Sequence, residues 1–213
     1  MVVISHKHKF IYIKTRKTAS TSIQILLGNY CDEYDIMTPI KLVSTEAGKL
    51  YNEKAINYKG FESHMSANQV MKKVGKEIWN EYFKFTFERN PWDKVVSYYC
   101  HMKAIEKTKK TFEDWLITTE VNPLKQPINY PLYTIRSGLK RRVALDYIGK
   151  YESLMEDLEY ILQKLNLPLI DLTKEKANFR GENTGYREFY NEKLKEIVET
   201  NYKEEIELFD YKF

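Results

Sequence analysis

Cysteine is scarce. The 213 residues hold two, Cys31 and Cys100, far apart and without the close spacing of metal ligands. That argues against a disulfide-stapled or zinc-built scaffold and leaves two incidental or buried thiols, as suits a reducing compartment. Eight glycines and six prolines are too few for a collagenous or Pro/Gly-rich disordered chain. No apolar run reaches the roughly 18 residues of a membrane span. The opening Met-Val-Val-Ile-Ser-His-Lys meets a charge too soon for a signal-peptide core. A soluble, cytoplasmic protein without membrane association is therefore expected. Nor does one charge sign dominate: 34 Lys and Arg against 30 Asp and Glu leave +4, so no nucleic-acid partner is expected.

Apolar side chains are plentiful. Hydrophobic residues make up 43% and aromatics 14%, enough for a sizeable core, and no Pro/Gly/Ser-rich linker divides the chain. One domain over residues 1–213 is expected. Phe10-Ile-Tyr-Ile reads as a strand, followed by a polar knot from Lys14 to Ser22 and a helix carrying Ile23, Leu26 and Leu27. Gly28-Asn29 reads as a left-handed helix end, and residues 31–60 as mostly irregular. Val70, Met71, Val74, Ile78 and Tyr82 recur at helical spacing and predict one amphipathic helix leading into a strand, Phe83-Lys-Phe-Thr-Phe-Glu. Asn90-Pro91-Trp92-Asp93 combines an N-cap, a first-turn Pro and an acid, predicting a helix to about Met102. Residues 144–149 read as a third strand. Ser153 with Glu156 reads as a capping box ahead of a helix through Leu165, and a last helix runs from about Glu188. Strands separated by helices predict an α/β fold with a mostly parallel sheet. The Phe/polar alternation of residues 83–88 is unusual for a strand buried on both faces, which places it off-centre or makes Thr86 a small packing residue.

Chemistry concentrates in two segments. The knot Lys14-Thr-Arg-Lys17-Thr-Ala-Ser-Thr-Ser22 lies where a strand turns into a helix, where free N–H groups and the helix dipole favour an anion. Three cations and the hydroxyls of Thr18, Ser20, Thr21 and Ser22 add the parts of a phosphate cradle; a basic turn capped by its own Ser and Thr is the alternative. It is not a Walker A loop, because the two glycines are missing and no acid for Mg²⁺ is apparent. The second segment, Phe85 to Tyr99, puts Arg89 at a strand end, where its fork suits a phosphate, and Ser97 two turns into a helix, as a phosphate ligand or a packing residue.

Together, Lys-Thr-Ala-Ser-Thr-Ser after a strand and Arg89-Asn-Pro-Trp-Asp-Lys-Val-Val-Ser97-Tyr-Tyr resemble the 5′-phosphosulfate loop and the 3′-phosphate motif of sulfotransferases that use 3′-phosphoadenosine 5′-phosphosulfate. The likeness is to the carbohydrate-type branch, heparan 2-O-sulfotransferase-like enzymes among them. Tyr147 to Leu158 and the Tyr-rich C-terminus extend it over most of the chain. The resemblance implies a P-loop-like, three-layer α/β fold, with a central, mostly parallel sheet flanked by helices. It also implies a small-molecule donor that leaves adenosine 3′,5′-bisphosphate, no metal, and a hydroxyl acceptor that is a carbohydrate.

On that likeness Lys17 is catalytic at the bridging region of the phosphosulfate and Lys14 contacts the same group. Thr18, Ala19, Ser20, Thr21 and Ser22 wrap the 5′-phosphate, Arg89 and Ser97 grip the 3′-phosphate, and Asn183 and Thr184 belong to a loop over the nucleotide. Arg16 departs from a commonly found Pro and Glu88 from a commonly apolar position. A sulfuryl group carries less charge than a phosphoryl group, so fixed cations and amide dipoles suffice for in-line transfer. The acceptor hydroxyl still needs a base, and His64 matches the His that relatives carry between the two motifs, with Glu62 behind it. His101 reads as a helix-surface residue, and His6 and His8 lack metal spacing. Arg136, Lys140, Arg141 and Arg142 form a basic cluster, either an acidic-acceptor contact or a solvated face. A Mg²⁺-dependent kinase and a non-catalytic nucleotide-binding module are the competing readings.

Overall fold

The structure is a computed structural model and describes residues 2–41, 43, 45–62, 64–120, 126–169, 172 and 185–213. In chain order the elements are β1 (Val2–Ser5), β2 (Phe10–Ile13), α1 (Ser20–Gly28), β3 (Ile36–Met37), α2 (Glu46–Glu53), α3 (Ala67–Val74), α4 (Lys76–Glu81), β4 (Phe83–Glu88) and α5 (Pro91–Ala104). There follow α6 (Phe112–Glu120), α7 (Tyr130–Tyr133), β5 (Thr134–Ser137), β6 (Lys140–Val143), β7 (Tyr147–Lys150), α8 (Leu154–Lys164), α9 (Glu192–Asn201) and α10 (Lys203–Phe209). They fall into two compact units, Met1–Glu88 with Pro131–Lys176, and Arg89–Tyr130 with Ala177–Phe213. No helix among the described residues is long and apolar enough to cross a membrane. Both cysteines are free thiols.

The first unit is an α/β layer structure. Its central sheet has the order β3-β1-β2-β4-β7, with β2 and β7 parallel to β4 but β1 antiparallel to both β2 and β3. The sheet is thus mixed rather than mostly parallel. The reason is the four-residue turn His6–Lys9, which can join only antiparallel neighbours. One face buries Val3, Phe10, Tyr12, Phe85 and Phe87 under Ile23, Leu26 and Leu27 of α1 and Leu158, Ile161 and Leu162 of α8. The other buries Val2, Ile4, Ile11 and Ile13 under Ala67 and Val70 of α3 and Trp79 of α4. Helices therefore cover both faces.

Strand β4 has neighbours on both sides, and its alternate residues are buried too. Thr86 donates to the Ile13 carbonyl at 2.5 Å, and the Lys84 ammonium meets the Asp146 carboxylate at 2.8 Å and the Tyr82 carbonyl at 2.7 Å. Glu88 is fully buried rather than turned to water. Hydrogen bonding and ion pairing thus let Lys84 and Thr86 occupy a covered sheet face.

Several local expectations change: residues 31–60, expected as mostly irregular, hold β3 and α2, and the last helix is divided into α9 and α10. The helix predicted from Met65 to Tyr82 breaks into α3 and α4 at Gly75, whose φ of 84° suits a residue without Cβ. Helix α1 ends at Gly28-Asn29 in right-handed geometry, Asn29 having φ −72°, and Gly28 serves packing: a Cβ there would lie 2.6 Å from the Tyr51 ring. Ser153 caps nothing. Its hydroxyl donates to Asp157 at 2.7 Å, and the same carboxylate accepts from Tyr147 and the Lys150 N–H, tying β7 to α8.

The second unit is helical among its described residues. Trp92, Val96 and Tyr99 of α5, Trp115 and Leu116 of α6, and Leu194 and Val198 of α9 share one core. Within it the fully buried Lys94 pairs with Glu205 of α10, whose other oxygen accepts from the N–H groups of Asn129 and Tyr130 at 2.6 and 2.8 Å.

Candidate active site

The polar knot occupies the β2–α1 junction of the first unit. Lys17 and Ala19 adopt left-handed backbone conformations, with φ of 63° and 54°. Each costs an L-residue roughly 1–2 kcal/mol, a strain that collects at functional sites. Ala19 is the N-cap of α1, with no side chain capping it, and the first turn carries no acid. A helix N-terminus with positive dipole, entered through a left-handed turn and flanked by cations, is suited to an anion.

The hydroxyls are not equivalent. Thr15 donates to the Phe87 carbonyl at 2.6 Å, so in its 2.9 Å pair with Thr18 the proton comes from Thr18. Thr18 is fully buried with its hydroxyl spent there. Ser20 and Ser22 are also buried, while Thr21, Lys17 and Arg16 are half-exposed. Lys14 is buried, and its ammonium donates to Thr21 Oγ1 at 3.1 Å and Gln24 Oε1 at 2.7 Å. Thr21 accepts in that bond and keeps its own proton for a ligand.

Gln24 was not foreseen as part of the site. Its amide nitrogen donates to the Thr38 carbonyl at 2.6 Å and to the Tyr51 hydroxyl at 2.9 Å, which fixes its oxygen toward Lys14. The signal was available as the one polar residue in Ile23-Gln24-Ile25-Leu26-Leu27.

His64 comes to the same strand end. Its Nδ1 lies 3.2 Å from the Lys14 carbonyl, which only accepts, so Nδ1 carries the proton and Nε2 the lone pair. Burial, with Arg16 and Lys14 adding positive charge, lowers the imidazole to about 3 and keeps it neutral. The first unit therefore brings Lys14, His64 and the knot together.

In the second unit Arg89 is buried, with Nε and one terminal nitrogen on Asp93 Oδ2 at 2.6 Å. Ser97 lies half-buried on α5, within the same unit. Asn90 caps α5 as expected, accepting from the Trp92 N–H. Asn183 and Thr184 lie outside the described residues.

The strand-to-helix junction, with no acid in the first turn of α1, thus has a neutral imidazole beside it. The family model of the sulfotransferase family matches residues 1–212, and the chain belongs to that family; it is a transferase. An uncharacterized protein of Archaeoglobus fulgidus is 37% identical over 106 residues, 49% of this chain and 84% of that protein. No solved structure matches.

Proposed function

We propose that the protein moves a sulfuryl group from 3′-phosphoadenosine 5′-phosphosulfate to a carbohydrate hydroxyl, by metal-independent in-line transfer on a P-loop-like fold. The observation that carries this reading is the uncapped start of α1, entered through left-handed Lys17 and Ala19 and backed by the buried Lys14. Cationic, acid-free and rich in N–H donors, these residues fit a polyanionic nucleotide. The proposal treats residues 1–213 as one sulfotransferase-like domain, since the family match spans both units.

The donor supplies the sulfuryl group and a phosphate that departs. Lys17 neutralises charge developing on that phosphate, while the amides of residues 18–22 and the Thr21 hydroxyl orient it. Lys14, held by Gln24, adds a fixed cation. Arg89 and Ser97 are assigned to the 3′-phosphate on the motif they share with relatives, and Asn183 and Thr184 to the nucleotide. His64 Nε2 accepts the acceptor's proton while its Nδ1–H stays on the Lys14 carbonyl, and bound negative charge beside Arg16 and Lys14 raises its basicity.

Calorimetric titration of adenosine 3′,5′-bisphosphate with and without Mg²⁺ tests this, with Arg89→Ala alongside wild type. Metal-independent binding, weakened in the variant, is expected. Binding of Mg²⁺-ATP alone would sink the reading in favour of a kinase. Nucleotide binding without transfer to any sugar acceptor would leave a non-catalytic module.

A further inference from the structure

Within the second unit, segments far apart in sequence meet at the start of α5. Phe213 sets its ring among Trp92, Tyr186 and Tyr190, at centroid distances of 5.6, 5.7 and 5.5 Å and interplanar angles of 81°, 89° and 85°. All three pairs have the edge-to-face arrangement that aromatic rings prefer. The Lys195 ammonium lies 4.7 Å and the Arg187 guanidinium 5.7 Å from the centroid of the same ring. Attraction of these cations to the ring adds to its hold. One residue earlier, the Lys212 carbonyl accepts from Asn90 Nδ2 at 2.8 Å.

These contacts converge on the first turn of α5. Asn90 Oδ1 accepts from the Trp92 N–H at 3.1 Å, the Trp92 carbonyl accepts from the Tyr190 hydroxyl at 2.9 Å, and Trp92 Nε1 donates to the Lys195 carbonyl at 3.3 Å. Arg89 rides on that turn, because its Nε and one terminal nitrogen both donate to Asp93 Oδ2, four residues on. The residue type at position 90 is informative. Ser or Asp would cap a helix as well, but only Asn also carries the amide N–H that holds the Lys212 carbonyl.

We propose that Phe213 is a positioning residue for the 3′-phosphate contact: with the Lys212 carbonyl it straps the first turn of α5 and so fixes the direction in which Arg89 presents its guanidinium. This deepens the proposed function and rests on it for the identity of the anion that Arg89 meets. A guanidinium grips a phosphate well only when its planar fork is aligned with two oxygens, so a turn that rocks loses affinity without losing charge. The residues assigned to the 5′-phosphate belong to the first unit, which has a core of its own. A loosened strap therefore weakens the grip on the 3′-phosphate and spares the 5′-phosphate.

The test uses the full chain as wild type, Phe213→Leu, Phe213→Tyr, Asn90→Ser and Arg89→Lys. Calorimetry gives the ratio of the Kd for adenosine 5′-monophosphate to that for adenosine 3′,5′-bisphosphate. Proton–nitrogen NMR spectra give the exchange rate of the Arg89 Nε–H, the signal that Arg89→Lys lacks. Phe213→Leu and Asn90→Ser are each expected to lower the ratio about tenfold, through the bisphosphate alone, and to speed Nε–H exchange about tenfold. Phe213→Tyr keeps the ring and is expected to match wild type in both. A merely structural phenylalanine would lower the melting temperature and weaken both nucleotides by one factor, leaving ratio and exchange alone; that result overturns the proposal. Asn90→Ser retains a capping side chain, so it decides the matter if the Phe213 variants do not fold, and a wild-type ratio and exchange rate in it overturn the proposal equally. A wild type that binds the two nucleotides alike, with exchange still faster in Asn90→Ser, fails the donor reading and sustains the strap. A wild type that prefers the bisphosphate, with ratio and exchange unmoved in both variants, does the reverse.

Discussion

His64 couples the site to pH. The folded chain keeps its imidazole neutral down to about pH 3, whereas an unfolded chain protonates it near its ordinary value of 6.5. Between those limits the unfolded state binds more protons, so this contribution to stability is full above pH 6.5 and is lost as pH falls toward 3. Urea unfolding across pH 4 to 7.5 is expected to show stability rising with pH, with a slope that His64→Asn removes. Asn is the informative replacement because His64 has φ 55°, a conformation Asn tolerates, and its side-chain amide can still donate to the Lys14 carbonyl. An equal slope in the variant would show that another group titrates. Lys17 makes a separate prediction. If its ammonium meets charge that develops only during transfer, Lys17→Ala lowers kcat by about 10²–10³, the usual cost of one preorganised electrostatic contact, with less change in nucleotide affinity. Single-turnover kinetics alongside calorimetry separates the two effects.

At the scale of elements, close approach explains positions that polarity patterns leave blank. Gly149 of β7 pairs with Phe87 of β4, and a Cβ there would lie 2.6 Å from the Phe87 ring and 3.0 Å from Asp157 Cβ. Neither neighbour is a loose chain end, so Gly149→Ala is expected to destabilise by about 1–3 kcal/mol, read as a lower urea midpoint at unchanged slope. An unaltered midpoint would mean that β7 shifts freely. In the second unit, Glu205→Gln leaves Lys94 charged and buried without its counter-ion, a loss of about 3–5 kcal/mol. Equilibrium unfolding measures it, and Lys94→Met/Glu205→Gln should recover much of the loss.

Elements whose sequences carried their own instructions were legible. β2 and β4 are short β-branched or aromatic runs, and α5 has its cap and first-turn proline in plain view. Those depending on a distant partner were not. β3 is two residues held by β1, α2 is anchored by Tyr51 reaching the Gln24 amide, and α6 packs Trp115 on the α5 side chains. The β5–β6 pair reads in sequence only as a basic cluster, because pairing, rather than alternating burial, makes it a hairpin. For the site, the residue types of the cradle were readable from spacing. The left-handed turn at Lys17 and Ala19 was not, since glycine is the usual mark of such geometry, and neither residue is one.

Across the whole molecule, the family match runs through both units although each has its own core. Ligand linkage tests function on the chain as a whole, since a ligand at 100 times its Kd stabilises the state that binds it by about 2.7 kcal/mol. A chain of this size gains roughly 2–4 °C per kcal/mol, so adenosine 3′,5′-bisphosphate should raise the melting temperature by roughly 5–10 °C without Mg²⁺. Adenosine 5′-monophosphate, lacking the 3′-phosphate assigned to Arg89, should raise it less at the same concentration. If the two cores melt separately, the transition of the sheet-containing unit must move, because that unit holds Lys14, Lys17 and the start of α1. Equal shifts with the two nucleotides would remove Arg89 and Ser97 from the donor site while leaving the cradle in place. A shift only with Mg²⁺-ATP would remove the donor assignment itself, because the 5′-phosphate residues would then be serving a different nucleotide.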